Sequence, residues 1–348
     1  MNHRRSVTGT RGRRTARRVT AAVAPVLAAG LLAGCAQELP VPEAEPAVVG
    51  AVVTEEQEKT IISRVAESVD KASKEKDAGA LDRMTGPAKE LRTSEIEVAR
   101  ILGKEGEAQP LPMTMQSVVL PSEPTWPRTS FAVSTQPKDL TPPVLYAFTQ
   151  NSARSDYQMW AWADLLPGVT LPQFASTDTG TERVAPDDAD SLVMSPQKAL
   201  AAYADVIGED KDSKYAKQVE DDEFRAFLRD QETRQEKADG WKEAEGKYSF
   251  SASADDDHGV EGMRTVDGGA IVMGAVNSMQ VIQLQDGAEA PPSKSLPTQV
   301  ALFGDQDVTN VQRTKYFDIV GLYIPPAGSS EKVRLVGFEH VAVSVSNE

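Results

Sequence analysis

Twice along this chain, helical spacing of apolar residues gives way to runs of strand-like alternation. A chain patterned in that order buries its apolar faces by laying helices on antiparallel sheet. The first block opens at Thr54, which with Gln57 makes a capping box, and Glu55 and Glu56 follow where the helix dipole favours acids. Ile61, Ile62, Val65, Ala66, Val69 and Ala72 then recur at helical spacing. Shorter helical pieces are expected over 80–84 and 94–102, with Gly86-Pro87 breaking the chain between them. Strands are expected over 113–120, 129–136, 143–150 and 157–164. The last carries Tyr157, Trp160 and Trp162, aromatics on both of its faces, as a covered strand would.

The second block repeats the plan. Ser195-Pro196 reads as an N-cap and first helical residue, Ala199, Leu200, Tyr203, Val206 and Ile207 face inward, and Gly208 is expected to end the helix. A second helix is expected over 213–236 on Tyr215, Val219, Phe224, Phe227 and Leu228, then strands over 247–254, 260–266, 270–285, 311–324 and 332–346. Between the blocks, 176–194 is polar and acidic. At 348 residues the chain has length for about two domains, so 54–175 and 195–348 are expected as two tandem α+β domains with 176–194 as linker.

Residues 1–53 belong to neither block. Seven arginines (Arg4, Arg5, Arg11, Arg13, Arg14, Arg17, Arg18) precede an apolar run over 19–33, and no acid comes before Glu38. That run is too short to span a bilayer and contains Pro25, which reads as a secretory signal over 1–34. It ends in Leu32-Ala33-Gly34-Cys35, which resembles the lipobox of bacterial lipoproteins. The resemblance implies a diacylglycerol on the Cys35 thiol, cleavage before Cys35, further acylation (palmitate or a similar chain) of the new amine, and residence at the extracytoplasmic face of the cell membrane. Two or more acyl chains anchor stably where one does not. Residues 35–53, rich in Pro, Glu and Ala, read as an extended tether. Loss of the leader would remove seven positive charges and take the net charge from −15 to −22.

The order of elements resembles the α+β cone folds of the cystatin and nuclear transport factor 2 type, in which a helix is wrapped by a curved antiparallel sheet. With its lipobox, the chain also resembles lipoproteins of actinobacteria, a likeness that implies no activity. Residues 144–148 followed by 157–168 are similar to 300–303 followed by 316–326, which suggests an internal duplication.

The chemistry on offer is sparse. The acidic balance argues against nucleic acid. One cysteine excludes a disulfide framework or a Cys-rich zinc site. Of three histidines, only His258 and His340 lie outside the leader. His258, in Asp255-Asp256-Asp257-His258-Gly259, fails calcium-loop spacing and reads as a solvated hairpin turn between strands. The run Asp305-Gln306-Asp307 fails it too, since Tyr316 stands where a bidentate Glu belongs. Trp160 and Trp162 read as packing residues, with sugar stacking as the other use of strand aromatics. Glu339 falls in phase with Val333, Leu335, Val341 and Val343, and Asp318 with Tyr316, Val320 and Leu322. A carboxylate among apolar residues is a candidate acid or base, and cone-fold isomerases place an aspartate base on such a sheet.

No metal site, cofactor motif or phosphate loop is found, and the residues favour binding over catalysis. The expected role is a membrane-anchored envelope protein acting as a binding or accessory module. Its partners beyond the membrane would be a basic protein, drawn by the acidic surface, or a small apolar ligand. The alternatives are an assembly scaffold for a membrane partner, or an isomerase- or hydrolase-like enzyme using Asp318 or Glu339.

Overall fold

The Thr54 capping box forms: its hydroxyl accepts from the Gln57 amide at 3.2 Å, and the Gln57 side chain accepts from the Thr54 amide at 2.9 Å. Helix α1 (Glu55–Glu75) runs on from it and buries Ile62, Val65, Val69 and Ala72. The computed structural model describes residues 50–136 and 141–347. Helix α2 (Gly86–Ile101) starts at the Gly-Pro pair expected to break the chain. Proline in a first helical turn forfeits only an N–H that has no partner there. Gly86 is held at φ +55°, and a Cβ on it would lie 2.5 Å from the Trp160 indole nitrogen.

Strands β1 (Met115–Val119), β2 (Arg128–Ser134), β3 (Val144–Gln150) and β4 (Gln158–Leu165) follow as an antiparallel meander. Helix α3 (Pro196–Glu209) passes through Gly208 and stops one residue later, where Asp210 takes φ +44°. Helix α4 (Glu223–Glu236) starts later than expected, because the Asp222 carboxylate caps it by accepting from the Arg225 amide. Then come β5 (Lys247–Ala254), β6 (Val260–Arg264), β7 (Ala270–Gln283), α5 (Pro297–Phe303), β8 (Val311–Ile324) and β9 (Arg334–Ser346). The short α5 takes up Val300 to Phe303, so the likeness of that segment to strand β3 is not structural.

The architecture is α+β, with five α-helices and nine strands among the described residues. All nine strands join one sheet in the order β1-β2-β3-β4-β9-β8-β7-β5, with β6 also on β7. The two expected bodies are therefore two meanders, each preceded by two helices and joined through their last strands. The joint is short: Asp164–Phe338 and Leu165–Gly337 pair across it, and the Leu166 amide donates to the Val336 carbonyl at 2.9 Å. Val48–Glu348 forms one compact unit. The expected linker is stitched to both meanders through the bridges Pro121–Thr181, Arg183–Met263 and Leu192–Pro326. Its polar composition hid Val184, Leu192 and Met194, which are buried.

The sheet bends back on itself. Ser130 of β2 donates to Glu58 of α1 at 2.6 Å, so that side of β2 faces the helix. Its neighbour Thr129 points the opposite way and donates to Glu261 of β6 at 2.6 Å. Phe131, Leu145 and Ala147 of the first meander accordingly share a core with Ile271, Met273, Phe317 and Ile319 of the second. The outer face of β7–β9, with Val272, Val276, Val320, Leu322 and Leu335, packs on Leu200, Tyr203, Val206 and Phe224 of α3 and α4.

Strands β5 and β6 pair with the same edge of β7, offset by four residues. They are one strand line interrupted by a bulge over 255–259, not two strands joined by a hairpin turn. Nor is the bulge solvated at its root. Asp255 is buried, accepts from Asn277 Nδ2 at 3.2 Å, and holds the His258 ring nitrogen at 2.6 Å.

Candidate functional site

Side chains alternate across a strand, so Ser278, Gln280 and Ile282 of β7 share a face with Gln312, Thr314, Tyr316 and Asp318 of β8. That face continues Val276 and Val320 and is the one roofed by α4. It carries a buried polar strip: Ser278, Gln280, Gln312, Thr314, Tyr316 and Asp318 are all less than a tenth exposed. Alternation held the clue to its burial, since Gln280 and Ser278 keep the phase of Val276 and Ile282. Glutamine and threonine in a strand otherwise read as solvent-facing, and only Asp318 stood out from the sequence.

One end of the strip is a closed hydrogen-bonded set. Asp318 is fully buried, with one oxygen 2.6 Å from Ser278 Oγ and the other 2.6 Å from His340 Nδ1 of β9. A carboxylate oxygen accepts, so the ring nitrogen facing it, Nδ1, carries a proton, and Nε2 points away from it. That Nε2 is buried and has no hydrogen-bond partner among the described residues. Tyr316 stacks on the ring at 4.0 Å, and Phe224 and Phe227 of α4 close over it. The aspartate bridges serine and histidine here. A nucleophile triad needs histidine in the middle, so this set is not one.

The other end opens into a cleft of about 600 Å³. Its floor is Gln280, Ile282 and Gln312, its sides are Gln231, Arg234 and Gln235 of α4 and Gln299 of α5, and Trp241, Ala290 and Pro291 form an apolar wall. Tyr316 links the two ends: its hydroxyl lies 3.4 Å from Gln280 Oε1 and hydrogen bonds Gln299, while burial pushes it up to about 12. Among the described residues, Gln312, 3% exposed, makes no side-chain hydrogen bond, and the Gln280 amide nitrogen has no acceptor. Neither amide is among the enclosed polar atoms without a partner, so both open onto the cleft.

Against known families, residues 49–345 match the family described as domain of unknown function DUF8094. The chain belongs to that family. An "Uncharacterized lipoprotein" of Streptomyces avermitilis is 30% identical to the DUF8094 chain over 199 residues, covering 56% of each protein, so the match spans about half of that relative. No solved structure matches.

The remaining candidates in this DUF8094 member fall elsewhere. Glu339 points to the opposite face of β9 from His340 and is also buried, beside Asp164 of β4 and Glu95 of α2. Burial, with those two acids alongside, pushes its carboxyl well above the usual range, and a side-chain hydrogen bond joins it to Asp164. Burial also raises Asp164, and it raises Glu95 although Arg92 holds Glu95 at 2.6 Å. Adjacent buried carboxyls stay together by sharing protons, which is a structural arrangement as much as a catalytic one. Neither Asp318 nor Glu339 belongs to the wall of the cleft. Trp160 and Trp162 are core residues. Among the described residues no cluster of three or more His, Cys, Asp or Glu is placed to hold a metal ion. Leu32, Ala33, Gly34 and Cys35 lie outside the described residues.

Proposed function

We propose that this protein is a lipid-anchored envelope protein on the extracytoplasmic face of the cell membrane, and that it binds a small ligand in the cleft beneath α4. The cleft carries the reading, because it places buried amides with unspent hydrogen-bonding capacity around a space of about 600 Å³, a size typical of small-molecule sites. The anchor reading rests on Leu32 to Cys35 and on the relative whose name is that of a lipoprotein. No described helix is long and apolar enough to cross a membrane. Binding is favoured over catalysis because Asp318 is enclosed by Ser278 and His340, behind the cleft wall. We also read each helix-and-meander half as a unit of the cystatin or nuclear transport factor 2 kind.

Two measurements test the proposal. Cys35→Ser should abolish incorporation of a labelled palmitate analogue and release the protein from membranes; continued membrane attachment would sink the anchor. Native mass spectrometry of protein extracted from its own membranes should show a bound adduct. That adduct should be lost in Ala238→Trp, which fills the cleft from an exposed position. An adduct unaffected by the substitution would place binding elsewhere.

A further inference from the structure

We infer that the cleft's ligand is an uncharged saccharide, held by its hydroxyls against side-chain amides; this rests on the binding role proposed above. Five glutamines (Gln231, Gln235, Gln280, Gln299, Gln312) line the one space. Each primary amide both donates and accepts, which matches a sugar hydroxyl that does the same. Gln280 and Gln312 are nine-tenths or more buried, with free hydrogen-bonding groups at the cleft floor. Both amides open onto the cleft, so the hydroxyls of a ligand can take the place of solvent on them.

The charges disfavour an anion. Arg234 is the sole cation of the lining and is engaged by Asp230 at 2.5 Å, whereas Asp239 and Glu289 are acids of the same lining. Main-chain geometry disfavours a peptide. Extended peptides are recognised chiefly by adding to free strand edges. At the cleft floor β7 and β8 pair with each other, Gln280 opposite Thr314 and Ile282 opposite Gln312, so their main-chain groups there are spent. What remains to offer is side-chain amide and apolar surface. Trp241, 8% exposed and packed on Ile282 and Ala290, offers a narrow apolar margin to the C–H groups of a sugar. Gly246 backs the Trp241 ring so closely that a Cβ would lie 2.3 Å from it.

The test titrates the full chain in detergent with neutral oligosaccharides (cellotriose, maltotriose, chitotriose), an anionic oligosaccharide and a capped neutral tripeptide, read by tryptophan fluorescence and calorimetry. At least one neutral sugar should bind, and Gln312→Leu and Gln280→Met should each weaken it about tenfold. A cooperative thermal transition in each variant shows that it folds. Binding of the peptide or the anion alone, lost in the glutamine variants, would overturn the saccharide and leave the cleft as a binding site. Sugar binding unchanged in both variants would overturn the glutamine site. If no probe binds, the saccharide falls, and the cleft reading then stands or falls on the adduct lost in Ala238→Trp.

Discussion

Replacing Glu58 by glutamine should stabilise this protein above neutral pH and leave it almost unchanged in acid. Glu58 lies in the first turn of α1 with no solvent exposure; one oxygen accepts from Ser130 and the other has no partner among the described residues. Burial raises its carboxyl from 4.5 to about 7, the Ser130 hydrogen bond only partly opposing this. The folded protein therefore binds a proton more tightly there than the unfolded chain does. Stability falls as pH rises from about 4.5 to about 7 and is level beyond. At about 1.4 kcal/mol for each pH unit of that gap, the ionised side chain costs about 3 kcal/mol at alkaline pH. Glutamine keeps the oxygen that Ser130 reaches and removes the charge, though its new N–H group gives back about 1 kcal/mol if it finds no acceptor. Urea unfolding of both proteins at about pH 4 and about pH 8 should give a gain near 2 kcal/mol at the higher pH, with no gain at the lower. Glu339, Asp164 and Glu95 titrate in both proteins, so the difference between the two isolates Glu58. An equal effect at the two pH values, or a loss at pH 8, would refute the reasoning.

Two further substitutions probe the scaffold. Gly86→Ala forces a Cβ into the Trp160 indole at a left-handed backbone position, and should cost about 2 kcal/mol or more in chemical denaturation. Asp318→Ala leaves the Ser278 hydroxyl and the His340 Nδ1–H buried without their acceptor. It should cost about 3 kcal/mol, and nitrogen NMR of His340 should lose the fixed Nδ1–H tautomer; a retained tautomer would show that Asp318 does not set it.

Local order was legible wherever period and punctuation agreed. Thr54 and Gln57 announced α1, and the alternation over 311–324 is strand β8 to the residue. Features set by partners distant in the chain were not. Helix α5 has seven residues, too few for a helical period to show. The bulge over 255–259 reads locally as a turn, and only the shared pairing with β7 reveals one strand line. Asp318 could be placed on an apolar face, but its partners lie 40 residues before it and 22 after. The cleft glutamines are the clearest case. Their burial depends on α4, which precedes β7 in the chain and folds back over it, so nothing next to Gln280 or Gln312 signals enclosure.

The joint between β4 and β9 has a mechanical consequence. So short a seam gives little resistance to peeling by itself. A pull between the two meanders also passes through the segment that connects them, bridged at Pro121–Thr181 and Arg183–Met263, and through Thr129 on Glu261. The rest falls on the apolar faces behind the joint, where Phe131 and Leu145 share a core with Met273 and Phe317. The two plates are thus held less by their seam than by stitching and adhesion across their faces.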